Sequence, residues 1–274
     1  MINKLQLPKE TVDKIIDYYC NYQYGQQKTA KLCGVTITQV RKTLLENNIR
    51  IRNFSEAATI SNQIRRKYSV NDNYFDEENP NMAYYLGFIA ADGTVSKDGN
   101  QIKIGLSSVD KNFLERMREE LSIEKEIFTY ETANGFSVSE LRFTSAKIKQ
   151  KLAEYNIVPR KTYSFSFPTK LNRKYWIDFI RGYFDGDGSI STAGPHAIRF
   201  QICAHRKEVL ETIINFFYEE YSIPKVNIQI AQREKNNLYY FQYSTSSTKE
   251  IYNKLYYPNC ICLPRKYEKY TALI

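Results

Sequence analysis

The sequence predicts an α+β fold in which one module occurs twice, behind a small all-α unit. Three observations predict it. An apolar, helix-like run closed by Asp-Gly occurs at Tyr84–Gly93 and again at Phe179–Gly188. Each run is followed by the same alternation of strand-like and helix-like segments. Each module then finishes on Pro-Arg-Lys, at Pro159–Lys161 and at Pro264–Lys266. At 274 residues the chain has room for such a duplication of about 200 residues plus a small extra unit.

Residues from Pro8 to about Arg52 read as a compact helical unit. Val12, Ile15, Ile16 and Tyr19 repeat with a helical period. Ala30 and Gly34, four apart, fit a short helix and a tight turn, and Val35, Val40 and Leu44 supply buried positions. The pattern resembles a helix-turn-helix with a recognition helix near Thr36 to Asn47. Thr36, Thr38, Gln39, Arg41 and Lys42 would then face DNA; the competing reading is a small helical bundle with a solvated basic face. Asn53 to Tyr74 is polar, contains Arg65-Arg66-Lys67 and lacks a sustained apolar period, so it reads as a linker that could track a phosphate backbone. The boundaries expected are a helix-turn-helix unit at 1–52, a basic linker at 53–75, a first repeat at 76–170 and a second at 171–274.

In the first repeat the pattern predicts a strand pair around Thr94 to Ser107 and a helix from Asp110 to Leu121. Strands near Glu126 to Glu131 and Phe136 to Thr144 and a helix from Ala146 to Tyr155 follow. The second repeat predicts strands around Ser189 to Ser191 and Ala197 to Cys203, then a helix from Lys207 to Tyr221. Strands near Lys225 to Gln232 and Leu238 to Ser244 precede a helix from Thr248 to Tyr257. The strands alternate. Ile102, Ile104 and Leu106 interleave with Gln101, Lys103 and Gly105; Ile198, Phe200 and Ile202 interleave with Arg199 and Gln201; Val226, Ile228 and Ile230 interleave with Lys225, Asn227 and Gln229. An antiparallel sheet with one apolar and one polar face suits a surface lying on DNA, where Arg and Lys read guanine edges and Gln and Asn read adenine. Arg142 and Gln242 extend that surface; an ordinary solvated sheet face is the alternative.

The two Asp-Gly runs carry the chemistry. Gly87 and Ala91 share one helical face, as do Gly182 and Gly186, and small residues at that spacing let two helix backbones approach closely. If the two helices pack together, Asp92 and Asp187 meet at the same end of the pair. Two carboxylates about 5 Å apart repel by roughly 3 kcal/mol at an effective dielectric near 20. A helix C-terminus further disfavours negative charge. A hard divalent cation such as Mg²⁺, or Mn²⁺, relieves both penalties. The alternative is that each Asp-Gly is only a helix stop, with Gly in a left-handed cap.

Composition bounds the rest. Net charge is +9, with 42% hydrophobic and 25% charged residues. Through Phe75 there are twelve Lys/Arg against six Asp/Glu, whereas the remainder carries 27 against 24. A basic N-terminal arm on a nearly balanced body points to a polyanion, with nucleic acid the leading partner. No secretory signal opens the chain and the longest apolar stretch, near Ala83 to Ala91, is about half a membrane span, so no membrane contact and a cytoplasmic location are expected. The five cysteines are odd in number and scattered, and Cys260 and Cys262, with His196 and His205, do not match zinc spacing. There is no Gly-rich phosphate loop ending in Gly-Lys-Ser/Thr, no Gly-x-Ser-x-Gly elbow and no paired-histidine metal motif.

On the nine-residue segments Tyr85–Gly93 and Ile180–Gly188, the chain resembles the two-repeat, single-chain LAGLIDADG homing endonucleases. The resemblance covers the two repeats and implies a pseudo-symmetric, duplicated αββαββα core whose antiparallel sheets form a saddle over the DNA major groove. The family's metal-binding acid falls on Asp92 and Asp187, with Gly93 and Gly188 beside them; its first acidic position is Ala90 in one copy and Asp185 in the other. The resemblance implies Mg²⁺-dependent cutting of each strand once, leaving short 3′ overhangs. It also implies a basic residue near each scissile phosphate, matched by Lys161 and Lys266, which could otherwise simply hold a module boundary. A polar residue at the end of the second strand is matched by Ser107 or Ser108, and by Ala204 or His205. The implied partner is double-stranded DNA with a long target site, bound by a monomer. The alternative on the same scaffold is a non-cleaving binding protein, either a maturase acting on intron RNA or a transcriptional regulator.

Overall fold

The computed structural model describes residues 7–65, 68–192, 194, 197–232 and 237–272. The chain divides into two compact units, Met1–Lys67 and Tyr68–Ile274.

The first unit contains α1 (Lys9–Cys20), α2 (Gln26–Cys33), α3 (Ile37–Glu46) and α4 (Phe54–Arg65). Ile15, Tyr19, Ala30, Val40 and Leu44 form its core, so the predicted helical period marks the buried face. Gly34 takes a left-handed φ of 65° and ends α2, which lets the chain turn tightly into α3. A capping box starts α3: the Thr36 hydroxyl accepts from the Gln39 backbone N–H, and the Gln39 side chain accepts from the Thr36 backbone N–H.

Residues 54–65, within the segment read as a linker, are helical. The reason is a second reciprocal cap. The Glu56 N–H donates to Asn53 Oδ1 and the Asn53 N–H donates to Glu56 Oε2, each at 2.9 Å. Of the basic triplet, Arg65 ends this helix, while residues 66 and 67 lie outside the described residues.

The second unit repeats one order of elements. The first copy is α5 (Pro80–Asp92), β1 (Gly93–Val95), β2 (Gln101–Ser107), α6 (Lys111–Glu120), β3 (Phe128–Glu131), β4 (Ser137–Thr144) and α7 (Ala146–Glu154). The second is α8 (Trp176–Asp187), β5 (Gly188–Thr192), β6 (Ile198–Ala204), α9 (Lys207–Tyr221), β7 (Gln229–Gln232), β8 (Asn237–Tyr243) and α10 (Thr245–Leu255), with α11 (Pro264–Thr271) added. Each copy forms a four-stranded antiparallel sheet in the order β1-β2-β4-β3 or β5-β6-β8-β7. This is the predicted duplicated αββαββα arrangement.

One hydrophobic core runs through both copies. Helix α5 is buried over Met82–Ala90, because α8 covers one side and the core of its own module the other. The small-residue spacing does what the sequence suggested. A Cβ on Gly87 would lie 2.0 Å from the Phe179 carbonyl oxygen, and one on Gly182 would lie 1.9 Å from that of Tyr84. The two helix backbones therefore touch, and no other residue fits at either position.

Three local expectations change. The strand predicted from Lys225 begins only at Gln229. Val226 and Ile228 pack, half-buried, against the core without a strand partner, and Lys225 and Asn227 lie exposed beside Lys207 and Glu211 of α9. Ile230, expected inside, is 53% exposed on β7, an edge strand of its sheet. The two Pro-Arg-Lys segments do not fold alike. Arg160 is left-handed and Lys161–Tyr163 form a single 3-10 turn, whereas Pro264 opens the two-turn helix α11.

Candidate active site and nucleic-acid interface

Asp92 and Asp187 are the last residues of α5 and α8, and Gly93 and Gly188 lead straight into β1 and β5. Neither glycine is in a left-handed cap; their φ values are −74° and −83°. They are glycine for space. A Cβ would fall 2.6 Å from the Ile89 carbonyl oxygen at Gly93 and 2.6 Å from the Phe184 carbonyl oxygen at Gly188. The two ends meet: a Cβ on Gly186 would lie 3.2 Å from Asp92 Oδ2. The carboxylate of one repeat thus rests on the motif glycine of the other.

Electrostatics follows from that meeting. Burial, then the charge of Asp187, pushes the Asp92 carboxyl up to about 6. Burial also raises Asp187, against the charges of Lys161, Lys266 and His205. The pair is held short of comfortable ionisation.

Lys161 and Lys266 sit at the same helix ends. The Lys161 Nζ donates to the Ala91 carbonyl at 3.1 Å. The Lys266 Nζ donates to the carbonyls of Phe184, Gly186 and Gly188 at 2.5, 3.2 and 2.6 Å. A cation there satisfies the orphan carbonyls of a helix C-terminus and offsets its dipole. Burial pushes the Lys266 ammonium down to about 8 and lowers that of Lys161. All three Lys266 donors are engaged, so it acts on the carboxylates through its charge.

Among the described residues no group of three or more His, Cys, Asp or Glu gathers to hold a metal. The donor set at the helix ends is two carboxylates, Asp92 half-buried and Asp187 the more exposed. That fits Mg²⁺, which takes one or two protein carboxylates and keeps several waters; Asp92 and Asp187 are the residues that would hold it. The Gly188 carbonyl is already an acceptor for Lys266. Each of the five cysteines is a free thiol, and His196 lies outside the described residues.

The sheet register pairs off the candidates at the end of the second strand. Gly93 pairs with Ile104 and Gly188 with Ile202, so Ser107 and His205 are equivalent, each three residues farther on. His205 lines a cavity of about 240 Å³ together with Asp187, Lys161, Tyr183 and Arg206, and its ring lies 4.8 Å from that of Tyr163.

The outward sheet faces carry most of the predicted interface. Gln101, Lys103 and Arg142 share one face of the first sheet, and Arg199, Gln201, Gln242 and Gln229 share the same face of the second. Lys225 and Asn227 do not belong to that face. Glu140, buried at the centre of the first sheet's outward side, binds both Lys103 and Arg142 and was not foreseen. In the first unit Thr38, Arg41 and Lys42 are exposed on α3, whereas the oxygens of Thr36 and Gln39 serve the capping box.

Residues 79–156 match the LAGLIDADG-like domain family. The second repeat reproduces that LAGLIDADG segment element for element. The sequence is similar to an uncharacterized protein of Methanocaldococcus jannaschii, 26% identical over 203 residues, which are 73% of this chain and 72% of that protein. It is also similar to DNA-directed RNA polymerase subunit Rpo1C of the same organism, 27% identical over 136 residues, which are 48% of this chain but only 15% of the subunit. Among solved structures it is similar to the N-terminal LAGLIDADG domain of DUF199/WhiA, with 15% identity, 82% of this chain and 98% of that one covered, and a TM-score of 0.44. It is likewise similar to the homing endonuclease I-DmoI in complex with DNA and Ca, with 16% identity, 74% and 99% covered, and a TM-score of 0.45. No described helix is long and apolar enough to cross a membrane.

Proposed function

We propose that this protein is a site-specific double-stranded DNA endonuclease that acts as a monomer, hydrolysing one phosphodiester in each strand and leaving short 3′ overhangs. One observation carries the reading: Asp92 and Asp187 are held together, both carboxyls raised above the usual range, at the matching ends of two helices in backbone contact. Two carboxylates brought this close repel one another, a cost that a bound divalent cation would relieve. A bound Mg²⁺ or Mn²⁺ would supply positive charge at the phosphate and at the attacking water.

The chain's own residues supply the remainder. Asp92 and Asp187 would hold the cation, and the glycines beside them let each acid lie at the tight turn from helix to strand. Lys161 and Lys266 moderate the repulsion between the acids; Lys266 spends its three donors on main-chain carbonyls, whereas Lys161 spends one on Ala91 and lines the cavity beside Asp187. The polar faces of both sheets bind the duplex. The first unit adds grip on a flank as a helix-turn-helix, with Thr38, Arg41 and Lys42 of α3 at the surface. Weakening of binding with salt, compared with and without this unit, separates phosphate contact from sequence reading there.

The test is to incubate the protein with a randomised duplex library in Mg²⁺ and map break ends by sequencing, beside an Asp187→Asn protein. Discrete breaks with 3′ overhangs that the variant lacks are expected. Specific retention of DNA or intron RNA without breaks would replace this reading with the binding-protein one, a regulator or a maturase.

A further inference from the structure

The two sheets can be compared position by position, because Gly93 pairs with Ile104 as Gly188 pairs with Ile202. Lys103 of the first sheet is therefore equivalent to Gln201 of the second. Their cross-strand partners, Arg142 and Gln242, are equivalent too, as are Glu140 and Tyr240. The same place on the outward face thus holds a charged trio in one repeat and a neutral amide pair in the other.

The trio is built rather than incidental. The Glu140 side chain is 4% exposed, against 38% for Lys103 and 36% for Arg142. Its Oε1 accepts from Lys103 Nζ at 3.2 Å and from the Tyr130 hydroxyl at 2.9 Å. Its Oε2 accepts from Arg142 Nε at 2.5 Å and also from Nη2. Gly105 stands opposite Glu140 in the ladder, and even a Cβ there would come to 3.4 Å of the Glu140 side chain. Burial works against the Glu140 charge, yet the bonds from Arg142, Tyr130 and Lys103 hold its carboxyl below the usual range. The two bonds to Oε2 engage Nε and Nη2 of the guanidinium, so its Nη1 and the remaining protons of the part-exposed Lys103 are the donors the trio has left to offer. An edge made only of donors complements guanine, whose O6 and N7 both accept.

The second sheet presents a different edge. The Gln242 Nε2 donates to Gln201 Oε1 at 2.6 Å. Whichever way the two amides are turned, one bond between them leaves an NH₂ group on one and a carbonyl oxygen on the other. A donor beside an acceptor complements adenine, whose N7 accepts and whose N6 donates.

Resting on the endonuclease reading, we propose that these equivalent positions are a specificity element that makes the two halves of the target unlike. The Lys103–Glu140–Arg142 trio reads guanine in one half-site. The Gln201–Gln242 pair reads adenine at the mirror-related position of the other. Glu140 is a positioning residue: it touches no base and fixes the plane of Arg142.

The experiment selects bound duplexes from a randomised pool with full-length protein in EDTA, so that retention is scored without cleavage. Wild type is expected to retain duplexes with guanine at one position and adenine at its mirror position. In K103Q/R142Q the guanine preference falls by about 5- to 100-fold, the range of one bidentate contact, and in Q201K/Q242R guanine replaces adenine in the second half. E140Q relaxes the guanine preference while its salt dependence of binding stays at the wild-type slope. An unchanged guanine preference in K103Q/R142Q, or a loss spread evenly over all sequences with a shallower salt slope, overturns the proposal while the endonuclease reading stands. Absence of any sequence-selective retention by wild type overturns it together with the endonuclease reading.

Discussion

Helix α8 buries Asp178, Arg181 and Asp185 where helix α5 buries Ala83, Leu86 and Ala90. The two helices do the same work at their C-termini and in their backbone contact, yet one interior is apolar and the other ionic. In α8 the charges are answered individually. Arg181 donates to the carbonyls of Ile261 and Leu255 and pairs with Asp178 at 2.9 Å, and the Tyr257 hydroxyl donates to Asp178. Asp185 accepts from the hydroxyls of Tyr84 and Tyr256 and from the Leu263 N–H. All of these partners except Tyr84 come from residues 255–263, at and beyond the end of α10. What duplicated sequence retains is therefore the close-packing glycines and the terminal acids. What it is free to change is how each motif helix is fastened to its own module.

The comparison breaks first at the glycines, if they are not equivalent. Gly87→Val and Gly182→Val each force a side chain into the partner backbone and are expected to abolish cooperative unfolding in urea, beyond the roughly 1–3 kcal/mol of ordinary overpacking. Tolerance of either change would show that the helices can separate on that side. Next comes the ionic interior. Arg181→Leu leaves Asp178 buried without its cation and should cost about 3–5 kcal/mol. Adding Asp178→Ala restores the pair that α5 carries, Ala83 and Leu86, and should recover most of that loss in the same melts. A double variant no more stable than the single one would mean that α8 needs the ions for its register.

A third test concerns the acids that both repeats share. The Asp92 carboxyl is raised to about 6 in the folded protein against 3.8 in an open chain. The folded state then holds its proton longer, so stability is greatest below the lower value and declines as pH rises through the interval to the higher one. Asp92→Asn should remove that decline and stabilise the metal-free protein at pH 7 by about 1–3 kcal/mol, read by thermal melts in EDTA, while ending cleavage. No gain in stability would mean the acid is better solvated than its surroundings imply. The smallest contrast lies in the two lysines. Lys266→Met removes three carbonyl bonds and Lys161→Met one, so losses of about 2 and about 1 kcal/mol are expected in urea melts; the reverse order would contradict the asymmetry.

Much of this was legible because it rests on spacing. Gly87, Gly182 and Gly186 announce a close helix pair by period alone, and strand alternation separates Lys103, Arg142, Gln201 and Gln242 from the core. What was not legible depends on cross-chain partners. The Asn53–Glu56 cap begins a helix where no apolar period exists, so a search for periodicity passes over it. Val226 and Ile228 alternate like a strand but bury against the core without a ladder. Glu140 falls on the polar side of its strand and is buried only because Lys103, Tyr130 and Arg142 close over it. Asp185 looks like one more residue of an Asp-rich turn until Tyr84, from the other repeat, is seen to donate to it.

That last bond has a consequence for pairing. Phe179 stands in the second repeat where Tyr84 stands in the first. A second repeat released from the chain and paired with its own copy would bring a ring without a hydroxyl to each Asp185, leaving it two of its three donors, the Tyr256 hydroxyl and the Leu263 N–H. A first repeat paired with its own copy would set the Tyr84 hydroxyl against Ala90, which has no acceptor to offer. The bond thus favours one copy of each repeat over two copies of either.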